Sequence, residues 1–162
     1  MNFMAVIQTL PARPGHPARM TPATPQEQVD QFPEDWRVID ELAEFAFSLD
    51  GVVEQETQIA PDGSRSLTLP EQTTAPRTAF LVGREFAHIH NPPTGSLHLT
   101  LPEPYRTMAI GKGWVLRHPF ALRNPAAADA VFVFAPRDRE ELAWTKLLLQ
   151  ISHAYAHGTL AS

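Results

Sequence analysis

Seven histidines and no cysteine set the chemistry open to this 162-residue chain. Without a thiol there is no disulfide framework, no thiolate nucleophile and no cysteine-ligated zinc or iron–sulfur centre, so reactive groups must be imidazoles and carboxylates. Three histidines are closely spaced, in Phe86-Ala87-His88-Ile89-His90 and Ser96-Leu97-His98-Leu99-Thr100-Leu101. Along an extended strand, successive side chains point to opposite faces. Phe86, His88 and His90 then share one face against Ala87 and Ile89, while Ser96, His98 and Thr100 lie opposite the apolar Leu97, Leu99 and Leu101. If Asn91-Pro92-Pro93-Thr94-Gly95 closes a hairpin, His90 opposes Ser96 and His88 opposes His98. Directly opposed Cβ atoms are roughly 4.5–5.5 Å apart, so three imidazoles converge on one patch.

Three roles are open to that patch. His88, His90 and His98 form a three-nitrogen set for zinc or iron that leaves a further position for water, whose pKa the metal would lower. Without a metal, the same residues offer a neutral base working near pH 7. In the third reading they are structural residues, hydrogen-bonded within the sheet. A second segment, Gly113-Trp114-Val115-Leu116-Arg117-His118-Pro119-Phe120, could line a pocket with the hairpin. There Arg117 would hold an anionic substrate, His118 would share proton transfer and Trp114 would supply an aromatic wall. The competing reading makes Trp114 core and Arg117-His118 a solvated strand end. Phe86 and Ser96, on the histidine face, complete the substrate-binding candidates. His153 and His157, four apart, complement the negative end of a helix dipole, and His16 is given no role. No Gly-x-Ser-x-Gly elbow, phosphate-cradling Gly-x-x-x-x-Gly-Lys or Gly-x-Gly-x-x-Gly is present, so nothing points to a serine hydrolase, an NTPase or a dinucleotide enzyme.

The elements that must carry these residues follow from composition and period. With 43% hydrophobic and 19% charged residues, the chain is long enough for one core and too short for two. A net charge of −5 gives no basic field with which to bind nucleic acid. The apolar opening, Met1 to Leu10, lacks a basic flank and is too short to cross a bilayer. A soluble, cytoplasmic protein with a small-molecule substrate and no membrane partner is expected. Residues 1–24 are rich in proline and small polar residues and read as a flexible arm, leaving 25–162 as a single domain. Thr24-Pro25-Gln26-Glu27 predicts a helix start with a capping box. Pro33 interrupts it, and a stripe of Trp36, Ile39, Leu42, Ala43, Ala46 and Leu49 predicts the main helix, ending at Gly51. The period changes to two from Val53 to Ile59, with a Pro61-Asp62-Gly63 turn and a second strand over 66–69. Further strands are predicted over 78–82, 85–90, 96–101 and 130–135, a short helix over 103–111, and a final helix over 137–157 stopped by Gly158. The fold class is α+β: a mainly antiparallel sheet with an N-terminal and a C-terminal helix packed on one face.

Taken in order, Arg84-Glu85-Phe86-Ala87-His88-Ile89-His90, Gly95-Ser96-Leu97-His98-Leu99-Thr100-Leu101-Pro102, Gly113-Trp114 with His118-Pro119, and Ala135-Pro136-Arg137-Asp138 resemble the luciferase-domain family. The resemblance covers roughly residues 50–158. That family includes the luciferase of bioluminescent fungi together with many bacterial proteins. The fungal members resemble cofactor-independent oxygenases that add dioxygen to a hydroxylated pyranone, with loss of carbon dioxide from the resulting peroxide. The resemblance therefore implies an oxidoreductase of monooxygenase type acting with dioxygen and no cofactor on an enolisable aromatic or pyranone-like compound. Such a site needs a base, a cation for the enolate and a dry pocket. His88, His90 or His98 would be the base and Arg117 the cation. A metal-dependent hydrolase or lyase, or a non-catalytic binding module, would use the same patch differently. Light emission is not expected of this chain, because the family does not fix the substrate.

Overall fold

The structure is a computed structural model and describes residues 1–161. After a short helix α1 (Phe3–Ile7) come α2 (Arg37–Ser48), β1 (Val53–Gln55), β2 (Arg65–Thr68), β3 (Glu85–Ile89), β4 (Leu97–Thr100), α3 (Tyr105–Gly111), β5 (Val115–Arg117), β6 (Ala130–Val133) and α4 (Arg139–Ala156). The six strands form one antiparallel sheet in the order β1-β2-β3-β4-β6-β5. The architecture is α+β, as the alternation of periods predicts. No helix among the described residues is long and apolar enough to cross a membrane.

Both long helices form because their apolar residues recur at helical spacing and have a sheet to bury against. α2 buries Val38, Ile39, Leu42, Ala43 and Ala46, and α4 buries Leu142, Leu148, Leu149 and Ile151 among others. Asp138 caps α4 by accepting the Glu141 N–H at 2.9 Å, and Gly158 ends the helix with φ at +76°, where a side chain would strain the backbone. α2 and α4 pack on each other, and α4 lies on β3 and β4. They cover the face that presents Leu67, Ala87, Ile89, Leu97, Leu99, Val131 and Val133, all buried. Each such side chain contributes about 1.5–3 kcal/mol on full burial, so this face anchors the sheet and its register.

The opposite face carries the chemistry. One row of the register runs Ser66, His88, His98, Phe132 and Leu116 across five strands. Part of this face is covered by the N-terminal segment read from sequence as a flexible arm. Ala18 and Met20 pack on Phe132, Phe134 and Leu116. Arg13 donates to Gln31 Oε1 at 2.9 Å and lies over the Phe134 ring, while Ile7 and Leu10 are buried in the main core.

Two predicted elements are absent. Residues 24–27 do not start a helix: Met20 bridges to Gln28, and the Thr21 hydroxyl accepts the Glu27 N–H at 2.9 Å. Between Pro25 and Pro33 the segment holds too few apolar residues to bury a stripe, and two helical turns without one do not persist. Residues 78–82 are not a strand; a 3₁₀ turn occupies Arg77–Ala79. Its backbone closes with the Phe80 N–H bonded to the Arg77 carbonyl at 3.2 Å, a local bond that takes the place of strand pairing.

Candidate functional site

The site is built on the β3–β4 hairpin. His88 and His98 are directly opposed and His90 N–H bonds to the Ser96 carbonyl at 2.9 Å, the register expected from the loop length. The loop's Gly95 has φ at +69°, and a Cβ there would stand 2.6 Å from Ile39 Cδ1 on α2. Only glycine lets the turn come this close to the helix, which seats the hairpin on the core.

One irregularity changes which residues reach the histidine face. Leu67 opposes Ala87 but Thr68 opposes Glu85, so Phe86 is left over in the register as a β-bulge. The bulge reverses the expected alternation. Phe86, predicted to share a face with His88 and His90, is buried toward the helices, its ring edge-on to His153 of α4. Glu85 comes round to the site instead. Its Oε1 accepts from His88 Nδ1 at 2.7 Å and from the Thr57 hydroxyl at 3.2 Å. Strict period-two reading puts Glu85 on the other face; its proximity in sequence to His88 was the only signal available.

The hydrogen bonds assign the imidazole tautomers. A carboxylate only accepts, so His88 carries a proton on Nδ1. Ser96 Oγ lies 2.8 Å from His90 Nδ1 and is hydrogen-bonded to it. Ser96 thus orients His90 rather than lining the pocket as predicted. The Nε2 atoms of His88, His90 and His98 are all buried without a hydrogen-bond partner. Ring nitrogens of the three lie within 4.8 Å of one another. Burial, together with the neighbouring His88, pushes the His90 pKa down to about 3. The same causes, with His90 and His118 added, hold His98 well below the usual imidazole value. Both rings are neutral at pH 7.

His118 joins the cluster from the end of β5, its ring 4.7 Å from that of His98 and perpendicular to it. Its Nδ1 accepts the Phe120 N–H at 3.0 Å. That bond places the proton of the neutral ring on Nε2, so His118 is a donor there. Burial and His88 lower its pKa as well.

Above the histidines lies a cavity of about 350 Å³ with His90, His98 and His118 at its floor and Ile59, Leu81 and Phe120 among its walls. No Asp, Glu, Lys or Arg lines it. Arg117, expected to hold an anionic substrate, is elsewhere: it pairs with Val131, in the register row of Leu99 and Ala87, so it leaves the sheet on the helix side. It is exposed and donates to the Ala128 carbonyl. Trp114 is buried outside the cavity, with Nε1 donating to the Pro11 carbonyl at 2.7 Å, which ties down the N-terminal segment. His153 and His157 lie at the end of α4, bonded to the Asp50 carbonyl and paired with its carboxylate.

Fold and site together define an α+β domain with an imidazole floor beneath an apolar pocket. The luciferase domain family matches residues 83–152, the stretch that holds all four site histidines and Glu85. Luciferases of Armillaria gallica and Armillaria mellea are each 34% identical over 90 residues, covering 54% of this chain and 32% of the relative. The luciferase of Neonothopanus nambi is 33% identical over 92 residues, covering 55% and 33%. The family match takes in less than half of the chain, and the stretch aligned with these luciferases amounts to about a third of each of them. No solved structure matches the chain significantly.

Proposed function

We propose that this protein is an enzyme that oxidises a small, largely apolar, enolisable compound with dioxygen, in the cavity above His90, His98 and His118. The observation that carries this reading is the cavity itself: apolar walls, no formal charge in the lining, and neutral imidazoles at the floor. An ion entering such a pocket would lose its hydration without a counter-charge, which costs several kcal/mol, so the substrate enters neutral. A hydroxylated aromatic or pyranone fits in size and polarity.

The chemistry needs an oxygen atom that can become an enolate oxygen. Its hydroxyl is seated on the Nε2 lone pairs of the floor, while a neighbouring carbonyl accepts from His118 Nε2. Loss of the enol proton allows the ring carbon to give electrons to dioxygen. A carbon–oxygen bond forms, the dioxygen is reduced to the peroxide level, and the proton returns to the outer oxygen to give a hydroperoxide. The balance is one substrate plus one dioxygen, with no external reductant. The similarity to fungal luciferases supports this class of reaction, and the dry walls protect the enolate from water.

The test is oxygen uptake by the purified chain with a panel of hydroxylated pyranones and enolisable phenols, compared with His98→Ala and His118→Phe. Uptake by the wild type, reduced about 100-fold or more in His98→Ala and by about 10–100-fold in His118→Phe, is expected. Absence of uptake with every member of the panel, or full uptake by His98→Ala, defeats the proposal.

A further inference from the structure

We infer that His88, His90 and His98 form a binding site for one divalent transition-metal ion, with Glu85 as the residue that orients and charges its buried ligand. The inference deepens the reading of the pocket as an oxidation site: an ion there would take the lone pairs that otherwise seat the enol hydroxyl and would lower that hydroxyl's pKa instead of accepting its proton, so it rests on that reading for its purpose, not for its geometry.

Three buried Nε2 atoms with no partner are the first ground. Leaving one such atom unpaired costs about 1–3 kcal/mol, and here three occur side by side in one cluster. An ordinary structural histidine cluster would interlock its nitrogens with neighbouring donors. These three instead leave a ring nitrogen each within 4.8 Å of the others, a spacing that a shared metal ion could draw together.

The second ground lies behind the rings. His88 Nδ1 donates to Glu85, and His90 Nδ1 is hydrogen-bonded to Ser96 Oγ. A carboxylate or hydroxyl on the far nitrogen fixes the tautomer and raises the basicity of the near one, the arrangement found around histidine metal ligands. The bulge at Phe86 exists in the fold's register only at the position that delivers Glu85 to His88. The third ground is the electrostatics of the proposed reaction. Arg117 is on the other face of the sheet and no cationic side chain lines the cavity, so an enolate would meet no positive charge from the protein. A divalent ion on the floor would supply it and would leave the remaining positions open to the pocket.

Neutral imidazoles without thiolate or carboxylate select a borderline ion, zinc or iron rather than magnesium or calcium. Metal–nitrogen bonds are about 2.0–2.1 Å long, so the rings must close by about an ångström from their separations of up to 4.8 Å. The resemblance to cofactor-independent oxygenases implies an empty patch; the geometry points the other way. His118 stays outside the ligand set because its Nε2 bears the proton.

The experiment uses the full chain, stripped with a chelator and freed of any affinity tag. Zinc is titrated against a competing chromophoric chelator, and cobalt(II) is followed by its visible absorption. Wild type should bind one ion per chain with an absorption of low-coordinate cobalt. His98→Ala should lose affinity about 100-fold or more. Glu85→Gln keeps the hydrogen-bond acceptor and loses only the charge, so it should fold and bind about 10–100-fold more weakly. His153→Ala, in the other histidine pair, should bind as wild type does. No stoichiometric binding, or binding that survives His98→Ala or falls with His153→Ala, overturns the inference. Oxygen uptake by stripped protein that binds no ion overturns the metal site alone. Normal binding without oxygen uptake upholds the metal site and removes the oxidation reading.

Discussion

Acid should destabilise the metal-free protein well above the range in which carboxylates titrate. His90 has a folded-state pKa of about 3 because it is buried beside His88, whereas an unfolded histidine titrates near 6.5. The unfolded state therefore binds more protons between these limits. Stability contributed by the neutral ring is fully present above pH 6.5 and is lost as pH falls toward 3. At pH 5 the unfolded ring is mostly charged and the folded one is not, about 1.5 pH units into the window. At about 1.4 kcal/mol per unit, His90 alone removes about 2 kcal/mol between pH 7.5 and pH 5. His98, His118 and His153 are shifted in the same direction and add to the loss, a large part of a typical total of about 5–15 kcal/mol. Urea unfolding of chelator-treated protein at the two pH values measures it, with His90→Gln as the reference that lacks this one ring. The wild type should lose at least about 2 kcal/mol, and the variant about 2 kcal/mol less than the wild type. Equal stability at both pH values, or an unchanged pH dependence in His90→Gln, would refute the assignment of a buried neutral cluster.

Arg117→Ala should leave oxygen uptake within about twofold of wild type, since its side chain sits across the sheet from the cavity; steady-state kinetics with the best substrate decides it. Gly95→Ala should destabilise by about 2–4 kcal/mol, from the φ of +69° and the 2.6 Å approach to Ile39 Cδ1, and Ile39→Val should recover part of that loss in a double-mutant cycle read by urea midpoints. Phe120→Ser removes an exposed apolar wall residue and should raise KM for an apolar substrate with little change in kcat, the split that separates a binding wall from the catalytic floor. Trp114→Phe should cost about 1–2 kcal/mol by releasing the Pro11 carbonyl and leave zinc affinity unchanged.

Most of the sheet was readable because one of its faces is apolar throughout. Leu97, Leu99 and Leu101 had to turn inward, and this forced His98 outward and opposite His88. The loop from Asn91 to Gly95 was short enough to settle the register. Glu85 was not readable, because a bulge is an event in the pairing of two strands, and no pattern within β3 signals that Phe86 will be skipped. Arg117 was misplaced for a related reason: its face depends on where β5 meets β6, and Trp114 to His118 contains no alternation strong enough to set that. Thr24 to Glu27 carries genuine capping residues, yet a cap stabilises only a helix that has something to bury. The N-terminal segment looked solvated by composition. Its few apolar contacts, Leu10 and Ala18 among them, are spread too widely to register as a pattern.

The cavity is drawn from both inside and outside the stretch that matches the luciferase domain. His90, His98, His118 and Phe120 lie within residues 83–152, whereas Thr24, Ile59 and Leu81 lie outside it. The loops near residues 24 and 59 can be rebuilt without disturbing a single strand, so exchanging them is a route to changing what the cavity admits while its histidines stay constant.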